Sequence, residues 1–579
     1  MKIHPTYAAV FLLWSATFPG TAQSIASHWS GASSGADNPP PAMVTSAQGS
    51  SYIPLDNWIY GALDRLHGMG YIDTAFLGIR PWTRLSIAHM LEESADSVQN
   101  SSDDEARELF LAIRREVQPD VDNPTTLLHP DGMLESVYAE GRGISGTSLR
   151  DSFHLGQTIV NDYGRPYEHG FNFYGGLSAR AEAGRFSVYF RGEYQHSPSA
   201  DGYSPDLRSY LSDTVDTVDL ATHPEQETLP DTHIRSQNNA RLMEGYVSYQ
   251  VLNHEVAFGK MDHWLSPARG GALLISNNAQ NAYEFQIDRI EPLRIPGLSK
   301  ITGPFRYEFY VGSLKGHTEP NAPWEHVEKI SFKPYRDLEF GFSRLVIWGG
   351  EGHVPITLHS FLKSFFSVAN VSYAEKNSRN DPGARFAAFD FNWRLPFMRH
   401  WITLYSDSFV HDDVSPVDAP RRAAYHPGIY LSRMPGLQHL DLRAEAATTD
   451  ASAASNRNKN GQFFYWETIQ RQGPTNEGYL LGDWVGRNAK GGQAWATWHF
   501  SPKDQVGVAY RHVKASQQFF TGGSTQNDYA VSARKWFAKQ FQVEGSVQYE
   551  SWTIPLYQSG KQSDTTVAAR FTWFPPRKD

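Results

Sequence analysis

The sequence predicts a mainly β fold: a large antiparallel transmembrane β-barrel of about 16–20 strands, with about 18 expected, preceded by a small N-terminal α-helical domain. Three observations carry this. After Leu134 the hydrophobic period changes from about 3.6 residues to about 2 and stays there to the C-terminus. Aromatic residues make up 13% of the chain, with 28 Tyr, 33 Phe and 16 Trp, which suits aromatic girdles at two membrane interfaces. Short polar turns alternate with long polar loops, the asymmetry of a barrel with different ends.

A chain of 579 residues exceeds one ordinary core, so it forms either several domains or one large closed sheet. The mean hydropathy of -0.48 argues against a helical membrane protein but not against a barrel, whose strands show lipid only one face. A net charge of -10 gives no basic footprint, so nucleic acid is not an expected partner. Cys is absent from the sequence. That removes thiolate nucleophiles, Cys-ligated metals and disulfides, and it suits passage through an oxidising periplasm.

In chain order, Lys2 and the apolar Ala8–Trp14 precede small residues at Gly20–Ala22, the pattern of a secretory signal over residues 1–22. Residues 23–50 are rich in Ser, Ala, Gly and Pro and are expected to form a flexible linker. Residues 51–125 are expected to form a helical domain. Ile59, Leu63 and Leu66 lie on one helical face with Asp56 as a candidate cap, and Thr83 precedes a face of Ile87, Met90 and Leu91. A third helix carries Leu109, Phe110, Ile113 and Val117 behind Asp103 and Asp104, acidic residues at the favourable end of the helix dipole.

Residues 130–579 are expected to form the barrel. Phe541, Val543, Val547 and Tyr549 alternate with Gln542, Glu544, Ser546, Gln548 and Glu550, giving one face for lipid and one for water. Phe305–Val311, Leu338–Phe342 and Ala387–Leu395 alternate likewise. Turns at 332–337 and 501–504 are short, whereas 197–240 and 448–461 are long. Val567, Ala569, Phe571 and Trp573 form the closing strand, and Phe574 is its terminal aromatic, followed by a short tail.

Phe258–Tyr283 concentrates turn-forming and hydrogen-bonding residues. It reads as strand, glycine-rich crossing at Gly270 and Gly271, strand at Leu273–Ile275, then an exposed polar tip at Ser276–Asn278. The order Gly259, Trp264, Pro267, Gly270, Leu273, Ser276, Asn277, Asn278, Ala279 resembles the signature of the Wzi family of capsule assembly proteins. Residues 52–73 and 80–91, the strand–turn–strand with a glycine-rich exit at 332–366, and the glycine-rich loop 478–491 are similar to the same family. The resemblance implies an outer-membrane β-barrel that holds capsular polysaccharide at the surface of a diderm bacterium. It also implies a helical domain on the periplasmic side.

Polysaccharides are recognised by planar hydrogen-bonding groups working with aromatic rings. Trp264, Arg269, Asn277 and Asn278, and in the later loop Trp484, Arg487 and Asn488, offer that mixture and are the candidate polysaccharide-binding residues. Their alternative role is to brace or plug the lumen of a wide barrel. No Gly-x-Ser-x-Gly elbow, His-Glu-x-x-His helix or phosphate loop occurs. His353, His359 and Glu351 read as a solvated turn, and Ser276 with His263 makes no local catalytic pattern. The expected function is therefore non-enzymatic, with no cofactor or metal. Its expected partners are capsular or other surface polysaccharide, outer-membrane lipid and the polysaccharide export machinery, for a monomeric protein. A sugar-selective porin and a lipid-modifying barrel enzyme are the alternatives.

Overall fold

The computed structural model describes residues 48–367, 371–411, 422–450 and 461–576. The expected signal peptide, and the linker as far as residue 47, lie outside the described residues. Three helices come first: α1 (Trp58–Gly68), α2 (Arg84–Gln99) and α3 (Asp104–Asp122). Thr83 and Asp103 cap α2 and α3 by accepting from the amides of Ser86 and Ala106. The cap of α1 is Asn57 rather than Asp56. Asp56 is drawn away by two barrel arginines, lying 2.7 Å from Arg191 and 3.1 Å from Arg570. Leu63, Leu66, Ile87, Leu91, Leu109, Phe110, Ile113 and Val117 meet in one core.

Eighteen antiparallel strands follow and close on themselves. We number them β1 (Asp131–Ser145), β2 (Gly170–Ala183), β3 (Phe186–Ser197), β4 (Gln237–Val251), β5 (His254–Lys260), β6 (Tyr283–Arg289), β7 (Phe305–Ser313), β8 (Trp324–Tyr335) and β9 (Leu338–Trp348). The circuit continues through β10 (Ala384–Arg394), β11 (Ile402–His411), β12 (Ala424–Leu431), β13 (Leu440–Thr448), β14 (Ala489–His499), β15 (Gln505–Ala515), β16 (Thr525–Phe537), β17 (Phe541–Ile554) and β18 (Gln558–Trp573). Each strand pairs with its sequence neighbour, and β18 pairs back onto β1 from Val137–Trp573 to Ser145–Thr565. A closed sheet leaves no unpaired edge in the bilayer.

Alternation sorts the side chains as expected. Val508, Val531, Val547 and Val567 lie opposite one another across β15–β18, each about half exposed on the outer wall. Two residues nearer the long loops, Tyr510, Tyr529 and Tyr549 form an aromatic rung. The inner faces carry Arg511, Asp528, Glu550 and Asp564, all buried. Phe574 stacks on Trp536 at 4.8 Å beside the short-turn end.

The helical segment is fastened to the short-turn end by charge. Arg433 lies 2.6 Å from Asp103, Arg394 2.5 Å from Asp73, and Arg65 donates to the Gln438 carbonyl at 2.7 Å. Between α1 and α2, residues 72–83 form a tongue inside the barrel. Both oxygens of Glu339 on β9 accept from its amides, Leu77 at 2.9 Å and Gly78 at 3.0 Å.

Candidate functional site

The long-loop end is filled by the chain itself. After Lys260, residues 261–282 form no barrel strand and fold into the lumen, where Ser276, Asn277 and Asn278 are buried. This differs from the expected strand, crossing and exposed tip. Wall side chains alone do not fill a barrel of this width, and here Leu273, Leu274 and Ile275 pack in the lumen with Phe409, Tyr465, Leu480 and Leu481. Burying each such side chain stabilises the fold by about 1.5–3 kcal/mol.

Polar wall residues hold this plug by its backbone. Glu445 of β13 accepts from the amides of Arg269 and Gly270 at 2.8 Å each, and Asp407 of β11 accepts from Leu273 at 2.8 Å. Tyr163, Asn281 and the Leu55 amide converge on Asp262. Residues 478–491 lie against the plug: Ser276 donates its amide to the Leu481 carbonyl at 2.7 Å, and Asn278 its side-chain amide to that of Leu480 at 3.2 Å. A β-carbon on Gly271 would sit 2.1 Å from an Asp483 carboxylate oxygen, so this approach requires glycine. His426 joins the pieces, 2.9 Å from Asp483 and 3.1 Å from Glu445. Plug and tongue meet in mid-barrel, where Arg80 and Trp264 exchange backbone hydrogen bonds of 3.1 and 2.9 Å.

Six of the seven candidate binding residues are thereby buried in bracing positions. The Trp264 indole donates to the Ala268 carbonyl at 2.9 Å. Asn278 also accepts from the Asn161 amide, and Asn277 accepts the Tyr163 amide with its carbonyl. Arg487 lies 2.6 Å from Asp216 and between the rings of Phe153 and Phe519. Trp484 packs beside Arg511, and the Asn488 carbonyl accepts from Ser516. Arg269 alone is exposed, with its guanidinium 5.6 Å from the Trp495 ring and facing an internal cavity of about 410 Å³ between plug and helices.

Of the residues considered for catalysis, His263, Ser276, His353 and Glu351 are likewise spoken for, whereas His359 is exposed on the helix Leu358–Phe366. His263 is held by Glu284 and Glu308 at 2.5 Å each, and the Ser276 hydroxyl is donated to the Gly482 carbonyl at 2.8 Å. His353 pairs with Asp381 at 2.9 Å, while Glu351 accepts from Asn321 at 2.8 Å.

An open cleft of about 1320 Å³ lies at the long-loop end between residues 225–242 and the tips of β5, β6 and β7. Tyr283, at the start of β6, is an exposed ring with Lys260 5.0 Å and Lys315 5.6 Å from its centroid. Among the described residues, neither lysine is ion-paired. Arg241, Glu227, Glu477 and Tyr479 complete the wall. Burial pushes the Glu227 carboxyl above its ordinary range, Glu477 adds to this and Lys315 opposes it. Gly478, with φ of +82°, lets the 478–491 loop lie on Glu227, since a β-carbon there would be 2.3 Å from the Glu227 carbonyl. Such a cleft offers cations, carboxylates, hydroxyls and an aromatic face at the solvent boundary. The individual residues gave no local sequence signal. Lys260, Tyr283 and Lys315 stand at three different strand ends, and only barrel closure brings them together.

A family model described as capsule assembly protein Wzi matches residues 140–567. The chain belongs to the Wzi family of capsule assembly proteins. In agreement, the fold matches that of Wzi from Escherichia coli, whose structure is described as an outer-membrane protein involved in group 1 capsule assembly and a carbohydrate-binding β-barrel. That match has a TM-score of 0.63 at 16% identity, covering 90% of this chain and 99% of that one. An uncharacterized 55.8 kDa protein in the cps region of Klebsiella pneumoniae is 26% identical over 171 residues, 29% of this chain and 33% of the relative. The chain thus spans about a third of the length of that curated relative. As a closed Wzi-family barrel with an apolar outer wall, the protein resides in the outer membrane.

Proposed function

We propose that this Wzi-family barrel binds and holds capsular or another surface polysaccharide at the cell surface without chemically changing it, as a monomer. The observation that carries this is the mouth cleft. Two lysines that make no ion pair among the described residues flank an exposed tyrosine, over a lumen filled by the chain's own segments. A glycan bearing carboxylates would be held by charge-assisted hydrogen bonds from Lys260 and Lys315, with Tyr283 and Tyr479 covering apolar sugar faces. Trp264, Asn277, Asn278, Trp484, Arg487 and Asn488 then act by positioning the loops that shape the cleft. The helical segment, on the periplasmic side, would face the export machinery or peptidoglycan.

The test pairs binding with cell fractionation. Purified protein should retain the host's surface polysaccharide, and Lys260→Ala with Lys315→Ala should weaken binding by about tenfold or more, the ~1.4 kcal/mol or more expected of lost charge-assisted contacts. In the host, deleting the gene should move polysaccharide from washed cells to the medium with the total unchanged. Unaltered binding by the double variant removes the cleft. Unaltered cell and medium fractions after deletion remove the holding role.

A further inference from the structure

The segment joining β9 to β10 carries a helix, α4 (Leu358–Phe366), with the sequence LHSFLKSFF. Thr357 and Ser360 close a capping box at its start, which fixes where it begins. Its position follows from strand register, because residues directly opposite each other on neighbouring strands share a face. Phe309 of β7 stands opposite Glu328 of β8, and Glu328 opposite Arg344 of β9. Val311 stands opposite His326, His326 opposite Val346, and Val346 opposite Arg385 of β10. The alternate residues Lys329, Glu339 and Asp390 face the lumen, where Glu339 holds the tongue and Lys329 bonds Asp390. His326, Glu328, Arg344 and Arg385 therefore lie on the outer, lipid-side wall.

Bare polar groups there would be costly, since lipid offers them no hydrogen bonds. Yet all four, and Val346 beside them, are buried. α4 covers His326 and Arg344, Glu328 pairs with His326, and Arg385 reaches the Ser367 hydroxyl just past the helix. The His326 ring meets the Ser364 hydroxyl at 2.8 Å, and Arg344 donates to the carbonyls of Phe365, Ser364 and Ser367 at 2.7, 2.9 and 2.9 Å. The guanidinium thus binds the last carbonyls of the helix, of which that of Ser364 also accepts the Ser367 amide, and opposes its negative dipole end. Phe365 lies 5.9 Å from Phe309, and Phe361 5.8 Å from Trp348.

The helix is consequently amphipathic the wrong way round for water. Ser360 and Ser364 turn towards the barrel, while Leu358, Leu362 and Phe366, four residues apart, form one ridge with exposures of 73%, 43% and 53%. This ridge continues the apolar outer wall below it, where Phe340 is also exposed. Because His326 is two residues from the long-loop end of β8, α4 lies at the rim of the lipid-facing band.

We propose that α4 lies in the plane of the outer leaflet of the outer membrane, with Leu358, Leu362 and Phe366 inserted among lipid acyl chains. An interfacial helix of this kind sits about 5–10 Å into the boundary region. Its attachment reaches the mouth: Lys376, a little further along the same connection, lies 2.6 Å from Glu467, and the Gln470 side chain donates to the Gly349 carbonyl at 2.8 Å. Lipid contact at α4 thereby fixes one side of the loop that packs on the plug, independently of what the cleft binds.

Since the native chain has no Cys, single substitutions give unique labelling sites in the full-length protein. Leu362→Cys, and Leu358→Cys as a second site, are spin-labelled in phospholipid vesicles and exposed in turn to oxygen and to a water-soluble nickel chelate. Val531→Cys on the outer wall is the lipid reference and Glu225→Cys at the mouth the aqueous one. The expected result is collision with oxygen severalfold above collision with the nickel chelate at both α4 sites, as at Val531. Preferential collision with the nickel chelate, as at Glu225, overturns the proposal in favour of a water-exposed ridge. Low accessibility to both reagents overturns it in favour of a protein partner, including a second copy.

Discussion

At the residue scale, the mouth loops are locked by a histidine that no local sequence motif marks. His154, between β1 and β2, is buried, with its two ring nitrogens 2.9 Å from Asp151 and 2.8 Å from Asp216. Asp216 in turn binds Arg487 of the later glycine-rich loop, so three separate connections share one charge cluster. Burial would push the imidazole down, but the carboxylates of Asp151 and Asp216 outweigh this and raise its pKa from 6.5 to about 9. A folded pKa raised above the unfolded one means that this contribution to stability is complete below about pH 6.5 and is lost as pH rises through about 9. Proteinase K should therefore nick the mouth loops of the folded barrel faster at about pH 10 than at about pH 6, after correction for protease activity. His154→Gln should be nicked quickly at both. Equal protection of the native protein at both values would show that the cluster does not control the loops. Arg487 was singled out in the sequence for its chemistry, but its partner Asp216 lies over two hundred residues away and no spacing could announce the pair.

At the element scale, what was legible was what repeats. Period-2 alternation exposed the strands because one wall of each meets lipid and the other meets polar lumen. Helical faces exposed α1–α3 because one side of each buries apolar residues. Asp56 shows the limit: its local chemistry suits a cap, but Arg191 and Arg570 from distant strands compete for it, and Asn57 takes the role. Residues 261–282 show a second limit. Their glycines and amides signal turns, and turns ordinarily face water, whereas here the barrel supplies acceptors that make burial possible. The tongue obeys the same logic, with Glu339 satisfying two amides at once. Glu339→Ala should leave both N–H groups buried and unpaired, at about 1–3 kcal/mol each. The variant should melt earlier than the native barrel, whereas Glu339→Gln, which keeps one acceptor, should fall between them. An unchanged melting temperature for Glu339→Ala would mean that water replaces the carboxylate and the tongue is not held by it.

At the scale of the whole molecule, strand number and lumen content pull towards opposite functions. Eighteen strands enclose a bore that, left empty, would be an aqueous channel. Here the bore is entered from both ends, by the plug at 261–282 and the tongue at 72–83, and the two are joined at Arg80 and Trp264. The plug is tied to the wall at Glu445 and Asp407 and to the mouth loop at Leu480 and Leu481. Removing one contact would leave the others, so the seal is a property of the assembly and not of one residue. The native protein in planar bilayers should accordingly show no large steady conductance. Replacing residues 262–281 with a short glycine–serine turn, which releases Glu445, Asp407 and the apolar cluster around Leu273 together, should produce it. Large steady conductance of the native barrel would restore the porin reading and argue against a closed lumen. A shortened variant that folds, by its heat-dependent gel mobility, yet stays silent would place the seal in the tongue and the mouth loops that remain.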